Sequence, residues 1–297
     1  MKVLLTGANG FLGNYLRKQL LLKGHQLLAT GRGPCRLSVA SMPDFRYTSI
    51  DLADPKQIYA LFQQESPDYI IHAAAVGKPD ECEQFPVLAT QINTTATYHL
   101  LETAGIRKIP FNYISTDFVF DGVAGNYLET DLRNPVNHYG VTKCEAEKWV
   151  EQYVGPWSIV RTVLVYGMPL TGRSNLLSIV QEKLSAGLSY QVVDDQIRTP
   201  TYVEDLVAGI MAMLEQRVTG IFNICGDEIL TPYQMAVRTA EYLGLNTTLL
   251  IRSTSADFKQ PAQRPLCTGL SIEKARRVLG YMPCSFAVGL EKTFGKR

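Results

Sequence analysis

Three glycines at three-residue spacing, Gly7, Gly10 and Gly13, stand in Thr6-Gly7-Ala8-Asn9-Gly10-Phe11-Leu12-Gly13, directly after the strand-like run Lys2-Val3-Leu4-Leu5. The first glycine permits a tight strand-to-helix turn, the second lets backbone approach a pyrophosphate, and the third allows close helix packing. Phosphates would then face the amides and positive dipole of a helix N-terminus. A glycine triplet alone is a weak signal, and an ordinary Gly-rich turn is the alternative. The rest of the chain supplies the context. Short apolar runs alternate with helix-like segments, the pattern of β-α-β units and a parallel sheet. Strands are expected near Val3 to Thr6, Gln26 to Thr30, Tyr69 to Ala73, Phe111 to Ser115 and Ser158 to Arg161, and the first helix carries Leu12, Leu16 and Leu20 on one face.

Right-handed crossovers place helices on both faces of such a sheet, so the fold expected is α/β: a Rossmann-type doubly wound parallel sheet with a smaller C-terminal α/β lobe. After Tyr166 the alternation weakens, and loops rich in Gly, Pro and polar residues occupy Met168 to Asn175 and Val193 to Thr201. Gly220 to Cys225 again reads as a buried strand. The expected division is therefore interleaved: residues 1–166 form the dinucleotide-binding domain, with 194–225 returning to it. Residues 167–193 and 226–297 form the smaller substrate lobe.

The 297 residues suffice for a large core, and a net charge of +1 gives no reason to expect nucleic-acid or membrane attraction. No apolar run approaches the ~18 residues that span a bilayer. The cysteines, Cys35, Cys82, Cys144, Cys225, Cys267 and Cys284, are scattered and form no Cys-x-x-Cys pair. Buried, reduced thiols in an unprocessed cytoplasmic protein are the expectation.

About twenty residues after the glycines, NAD-specific chains often end their second strand with a carboxylate for the ribose 2′-hydroxyl. Here that place holds Thr30-Gly31-Arg32-Gly33. A guanidinium at Arg32 suits a 2′-phosphate, so NADP(H) is the expected cofactor, with NAD(H) as the alternative and a solvated Arg32 as the bland reading. Asp51 and Leu52 are placed to meet the adenine. His72-Ala73-Ala74-Ala75 supplies small residues, Ala73, Ala74 and Ala75, where a flat cofactor passes close to backbone.

Tyr139 and Lys143 lie four apart in a segment expected to be helical, so their side chains share a face. A lysine beside a phenol favours phenolate and lowers the phenol's pKa from about 10, which makes Tyr139 a usable acid. Lys143 would also hold a nicotinamide ribose, and Thr116 would orient a carbonyl oxygen. With 15 tyrosines, chance alone yields roughly one Tyr-x-x-x-Lys pair. Ser115-Thr116 at a strand end upstream and Asn134-Pro135 before the helix argue against chance. The histidines, His25, His72, His99 and His138, show no metal spacing, and no Gly-x-Ser-x-Gly nucleophile turn occurs.

These segments resemble the extended short-chain dehydrogenase/reductase family over essentially the whole chain. More narrowly, Ser-Thr-Asp-Phe-Val-Phe-Asp-Gly at 115–122, Asn-Pro-Val-Asn-His-Tyr-Gly at 134–140, Arg161-Thr162 with Val165-Tyr166-Gly167, Asp195-Gln196 with Pro200-Thr201, and Arg264-Pro265 are similar to dTDP-4-dehydrorhamnose reductases. The resemblance implies reduction of the 4-keto group of a dTDP-linked 6-deoxy sugar with NADPH or NADH, the last step to dTDP-L-rhamnose. Thr116, Tyr139 and Lys143 would be the catalytic trio. It places Gly7, Asn9, Gly10, Phe11, Leu12, Gly13, Asn93 and Ser115 with Tyr139 and Lys143 against the cofactor. Val76, Asp117, Phe118, Leu164, Arg198 and Arg264 would face the nucleotide-sugar.

Phe118 and Leu164 stand where that family often has Tyr and Trp, which removes two hydrogen-bonding groups near the sugar. Sugar-nucleotide dehydratases share the layout but need Glu at the Phe118 position. A 4-epimerase uses the same Tyr-Lys pair and retains NAD. The regulatory β subunit of methionine adenosyltransferase is also similar: it keeps the fold and binds NADP but acts chiefly as a partner protein. Arg198 and Arg264 are the candidates for the substrate diphosphate, with salt bridges to nearby carboxylates as the alternative. Gln196 is expected to order the same loop, and pairing through two helices per subunit would make a homodimer.

Overall fold

The structure, a computed structural model, describes residues 1–36, 43–170 and 174–296. Residues 171–173 of the loop expected at Met168 to Asn175 lie outside that description, as does 297 at the end of the expected lobe. The strands are β1 (Lys2–Thr6), β2 (Gln26–Gly31), β3 (Phe45–Ser49), β4 (Tyr69–His72), β5 (Phe111–Thr116), β6 (Trp157–Thr162), β7 (Val165–Tyr166), β8 (Tyr190–Val193), β9 (Thr201–Tyr202), β10 (Gly220–Asn223) and β11 (Leu250–Ser253). The helices are α1 (Phe11–Leu22), α2 (Pro55–Gln64), α3 (Pro79–Gln84), α4 (Pro86–Thr90), α5 (Ala96–Gly105), α6 (His138–Glu151), α7 (Leu176–Ser185), α8 (Val203–Gln216), α9 (Pro232–Leu243), α10 (Glu273–Leu279) and α11 (Phe286–Phe294).

Seven strands pair side by side in the order β10-β6-β5-β4-β1-β2-β3, all parallel. The Rossmann-type doubly wound sheet read from the alternation is the observed fold. Along each central strand successive side chains enter opposite layers. Val3 and Leu5 join the layer that holds Leu16 and Leu20 of α1 and Leu206, Val207 and Ile210 of α8. Leu4, between them, joins the layer that holds Ile58 and Leu61 of α2, Leu100 of α5 and Val150 of α6. Leu27, Leu28 and Ala29 divide in the same way. Leu12, expected to share the buried face of α1, is only partly buried and turns toward the cleft described below.

The helix starts follow local chemistry. Asp54 accepts from the Lys56 backbone N–H ahead of Pro55 at the first turn of α2, and Asn137 accepts from Gly140 N–H at the start of α6.

A second, small core joins Val180 and Leu184 of α7, Val192 of β8, Ala236 and Ala240 of α9 and Leu250 of β11, with β8 and β11 paired in parallel. The stretch 226–297, read as belonging to one lobe, divides in its packing. Leu270, Ile272, Ala275, Leu279, Phe286 and Leu290 join the main core, because α10 packs on α8 and β10. Among the described residues, no helix is long and apolar enough to cross a membrane.

Candidate active site

Strand order reverses direction on either side of β1, and the crevice at the carboxyl ends of β1 and β4 is where such sheets take ligands. Thr6 of β1 pairs with His72 of β4, so the turns beginning at Gly7 and Ala73 lie against each other. Gly7 has φ of +72°, and a Cβ there would sit 2.7 Å from the Ala74 nitrogen. A Cβ on Gly13 would sit 2.4 Å from the Gly7 carbonyl oxygen, so only glycine lets α1 start this close to its strand. Helix α1 begins with Gly10 at its N-cap, without a side-chain cap and without an acidic residue in its first turn. Its N-terminal amides and dipole therefore face the crevice uncompensated.

Two cavities, of about 570 and about 480 Å³, adjoin at this turn and share Gly7, Gly10, Ala73, Ala75 and Gly77. The smaller one is lined by Asn9, Arg32, Asp51, Leu52 and Ala74, and also by Arg36, Lys78 and Glu81. Arg36 was legible as a second cation four residues beyond Arg32 in the same loop; Lys78 carries no such signal. Phe11, Leu12 and Gly13 line the larger cavity.

Two expected contacts are corrected here. Asn93, in a π-helical turn between α4 and α5, is buried outside both cavities. It accepts from Val76 N–H at 2.8 Å and donates to Val76 O at 3.2 Å and to Thr142 Oγ1 at 3.0 Å, which braces the loop after β4 against α6. Val76 itself lines the smaller cavity, with Arg32 and Asp51, and not the larger one, with Tyr139.

The larger cavity brings Ser115, Thr116, Tyr139 and Lys143 together with Phe118 and Leu164. Tyr139 sits in the first turn of α6, its ring edge-on to Phe118 with centroids 5.9 Å apart. Lys143, one turn on, is buried; its Nζ donates to Ile114 O at 2.6 Å and lies 4.0 Å from the centre of the Tyr113 ring. Burial pulls the Lys143 ammonium down to about 7, while the charge of Glu147 opposes the fall. Thr116 Oγ1 donates to Asp117 Oδ1 at 3.1 Å and accepts from Phe118 N–H at 3.2 Å.

Ser115 lines the cavity, and its hydroxyl donates to Glu147 Oε1 at 2.5 Å. Glu147 is wholly buried and also accepts from Arg161 Nε at 3.1 Å, Arg161 Nη2 at 2.7 Å and Arg133 Nη1 at 3.0 Å. Burial pushes the Glu147 carboxyl up, and Arg161, Ser115 and Arg133 together bring it below its ordinary value. This buried cluster supports the floor under Lys143, and no sequence spacing announced it.

Both arginines expected at a diphosphate line the larger cavity and are already paired within the protein. Arg198 is 3% exposed, and its guanidinium donates to Ile197 O, Leu266 O, Gln196 Oε1 and Pro265 O at 2.7–3.1 Å. Four oxygens already occupy the fork expected to grip a diphosphate. Gln196, which also donates to Ser255 Oγ at 3.0 Å, orders this loop. Arg264 forms a bidentate pair with Asp80 of α3 at 2.6 and 2.7 Å, the salt-bridge alternative, while still lining the cavity. Asp117 is buried, accepts from Thr116 and Thr268, and is pushed up by burial against the opposing charge of Arg198. Leu164 has φ of +36° and is 39% exposed, a left-handed backbone at the cavity wall for a residue that disfavours it. Leu176, Pro232 and Met235 of the small lobe complete an apolar wall that the sequence did not announce.

Comparison with known proteins agrees with this geometry. The chain is 30% identical to a probable low-salt glycan biosynthesis reductase, Agl14, of Haloferax volcanii over 94% of this chain and 93% of that one. It is 29% identical to methionine adenosyltransferase 2 subunit beta of Xenopus tropicalis over 98% of this chain and 86% of that one. Its fold is similar to the crystal structure of a dTDP-4-dehydrorhamnose reductase from Bacillus anthracis in complex with NADP, with a TM-score of 0.86, 26% identity and coverage of 99% and 98% of the two chains. The family model for the RmlD substrate binding domain matches residues 1–296, and the chain belongs to that family.

Proposed function

We propose that this protein is an NADP(H)-dependent reductase of the 4-keto group of a nucleotide-linked 6-deoxy sugar, of the dTDP-4-dehydrorhamnose reductase type. One observation carries the reading: Thr116, Tyr139 and Lys143 line the cavity into which the glycine turn opens, and the cations Arg32, Arg36 and Lys78 line the adjoining cavity. The residues fit a dinucleotide, because Gly7, Gly10, Ala73 and Ala75 keep side chains out of the passage between the two cavities. NADP bound to the similar Bacillus anthracis reductase supports the choice of cofactor.

When bound, the nicotinamide supplies the hydride. Tyr139 delivers its phenolic proton to the carbonyl oxygen as that oxygen gains charge. Lys143 holds the ribose and, as the ammonium, stabilises the phenolate that Tyr139 leaves. Thr116 turns its hydroxyl from Asp117 to the substrate oxygen and orients it toward Tyr139.

The test is NADPH oxidation with freshly generated dTDP-4-keto-6-deoxy-L-lyxo-hexose, with dTDP-L-rhamnose identified as product. Replacement of Tyr139 by Phe is expected to lower kcat by about 10²–10⁴ while NADPH binding stays within about twofold. Unchanged turnover in Tyr139→Phe would remove that residue from the mechanism. NADPH binding without oxidation would favour the partner-protein reading, for which the similarity to methionine adenosyltransferase 2 subunit beta is the specific support.

A further inference from the structure

The turn after β2 carries more positive charge than one phosphate contact needs. Arg32 and Arg36 both line the smaller cavity, with Lys78 arriving from the loop after β4. Residues 32–36 belong to no helix or strand, so among the described residues no helix or strand pairing holds Arg36.

Two side chains from elsewhere do. Tyr47, in β3, donates its hydroxyl hydrogen to Gly33 O at 2.9 Å, and the Tyr47 hydroxyl oxygen accepts from Asn9 Nδ2 at 2.8 Å. Asn9 Nδ2 also donates to Pro34 O at 3.0 Å, and Asn9 Oδ1 accepts from the Arg36 backbone N–H at 2.9 Å. Asn9, expected to meet the cofactor, directs both ends of its amide to the arginine segment. The glycine turn and the Asp51-Leu52 corner already form the rest of this cavity. What the Tyr47–Asn9 clamp determines is where Arg36 leaves the backbone.

We propose that Tyr47 and Asn9 are positioning residues for Arg36. Arg36 and Arg32 then grip a phosphate monoester on the adenosine ribose, so that β3 as well as the turn after β2 sets the preference for a 2′-phosphorylated dinucleotide. The assignment rests on the NADP(H) reading above. Its chemistry is a dianionic phosphate between two guanidinium forks, with one fork held in place by a hydroxyl–amide clamp on the backbone that bears it.

The test measures binding of NADPH and of NADH by calorimetry, without sugar, to the full chain and to Arg32→Asp, Arg36→Gln, Tyr47→Phe and Tyr47→Phe/Arg36→Gln. Arg36→Gln should weaken NADPH roughly tenfold and Tyr47→Phe roughly fivefold, while NADH stays within about twofold for both. The double variant should bind NADPH no more weakly than Arg36→Gln, since Tyr47 acts only through Arg36. A Tyr47→Phe loss shared equally by both nucleotides, or one that adds to that of Arg36→Gln, would overturn the assignment and make Tyr47 a packing residue of β3. If Arg32→Asp abolishes an NADPH preference that Arg36→Gln and Tyr47→Phe leave intact, this assignment fails and the cofactor reading stands. A wild-type chain with no preference overturns both.

Discussion

Lys143 shows how much the chemistry of one residue depends on where the fold puts it. Its ammonium has lost its water, and Ile114 O and the Tyr113 ring replace only part of it, so its pKa falls from 10.5 to about 7. The sign of the consequence follows from linkage. Between about pH 7 and 10.5 the folded chain binds fewer protons at this site than the unfolded chain. Stability from this site is therefore full above that window and is lost as pH falls through it. A Lys143→Met variant has no such titration. Measured by denaturant midpoint, its stability should improve relative to the wild type as pH falls from about 10 to about 6. A difference that does not change with pH would show that Lys143 keeps its charge when folded. His72, in contact with Thr6 and Thr97 and held down to about 3 by burial, stays neutral in the folded chain; its protonation in the unfolded chain below about pH 6.5 is common to wild type and variant and cancels in their difference.

Helix α6 carries Tyr139, Lys143 and Glu147 at four-residue spacing, so one face supplies two cavity side chains and then the carboxylate beneath them. Glu147 balances Arg161, which is itself buried and reaches Glu129 O at 3.1 Å with the nitrogen it does not give to Glu147. Removing one partner of a buried pair leaves the other charge without compensation. Glu147→Gln should therefore cost about 3–5 kcal/mol in urea unfolding. A loss below about 1 kcal/mol would mean that water or Glu129 takes over Arg161. The Tyr-Lys spacing was readable in the chain because both residues lie within one helix. The Ser115–Glu147–Arg161 contact was not, because it joins β5, α6 and β6, which only sheet pairing brings together.

Across the whole molecule, the mouth of the larger cavity is tied by Arg264 from the C-terminal segment to Asp80 of α3, with Ala262 N–H also donating to Asp80 at 3.1 Å. Asn137 adds a bond to Gln263 O at 2.7 Å. The Arg264 fork lowers the Asp80 carboxyl below its usual range. If the pair acts as a tie, Asp80→Ala, Arg264→Ala and the double variant should each raise KM for the sugar by about two- to fivefold without adding. NADPH binding should not change. Initial-rate kinetics decide it: a lower KM in Asp80→Ala, with a higher one in Arg264→Ala, would return Arg264 to the substrate phosphates.

By itself the order of residues determined what local physics controls: strands from apolar alternation, the turn that only Gly7 and Gly13 permit, the shared face of Tyr139 and Lys143, and the cation after β2. Those features depend on neighbours within a few positions, where side-chain size, backbone freedom and helical or pleated spacing decide. Tertiary structure alone decided how the longer polar side chains are used. Arg198 gives two of its hydrogen bonds to carbonyls nearly seventy residues away, Asn93 braces a loop from a different helix, and Asn9 and Tyr47 clamp the loop that bears Arg36. A guanidinium or amide takes whatever oxygen the fold brings within hydrogen-bond reach, and no rule of spacing names an oxygen that arrives from another element.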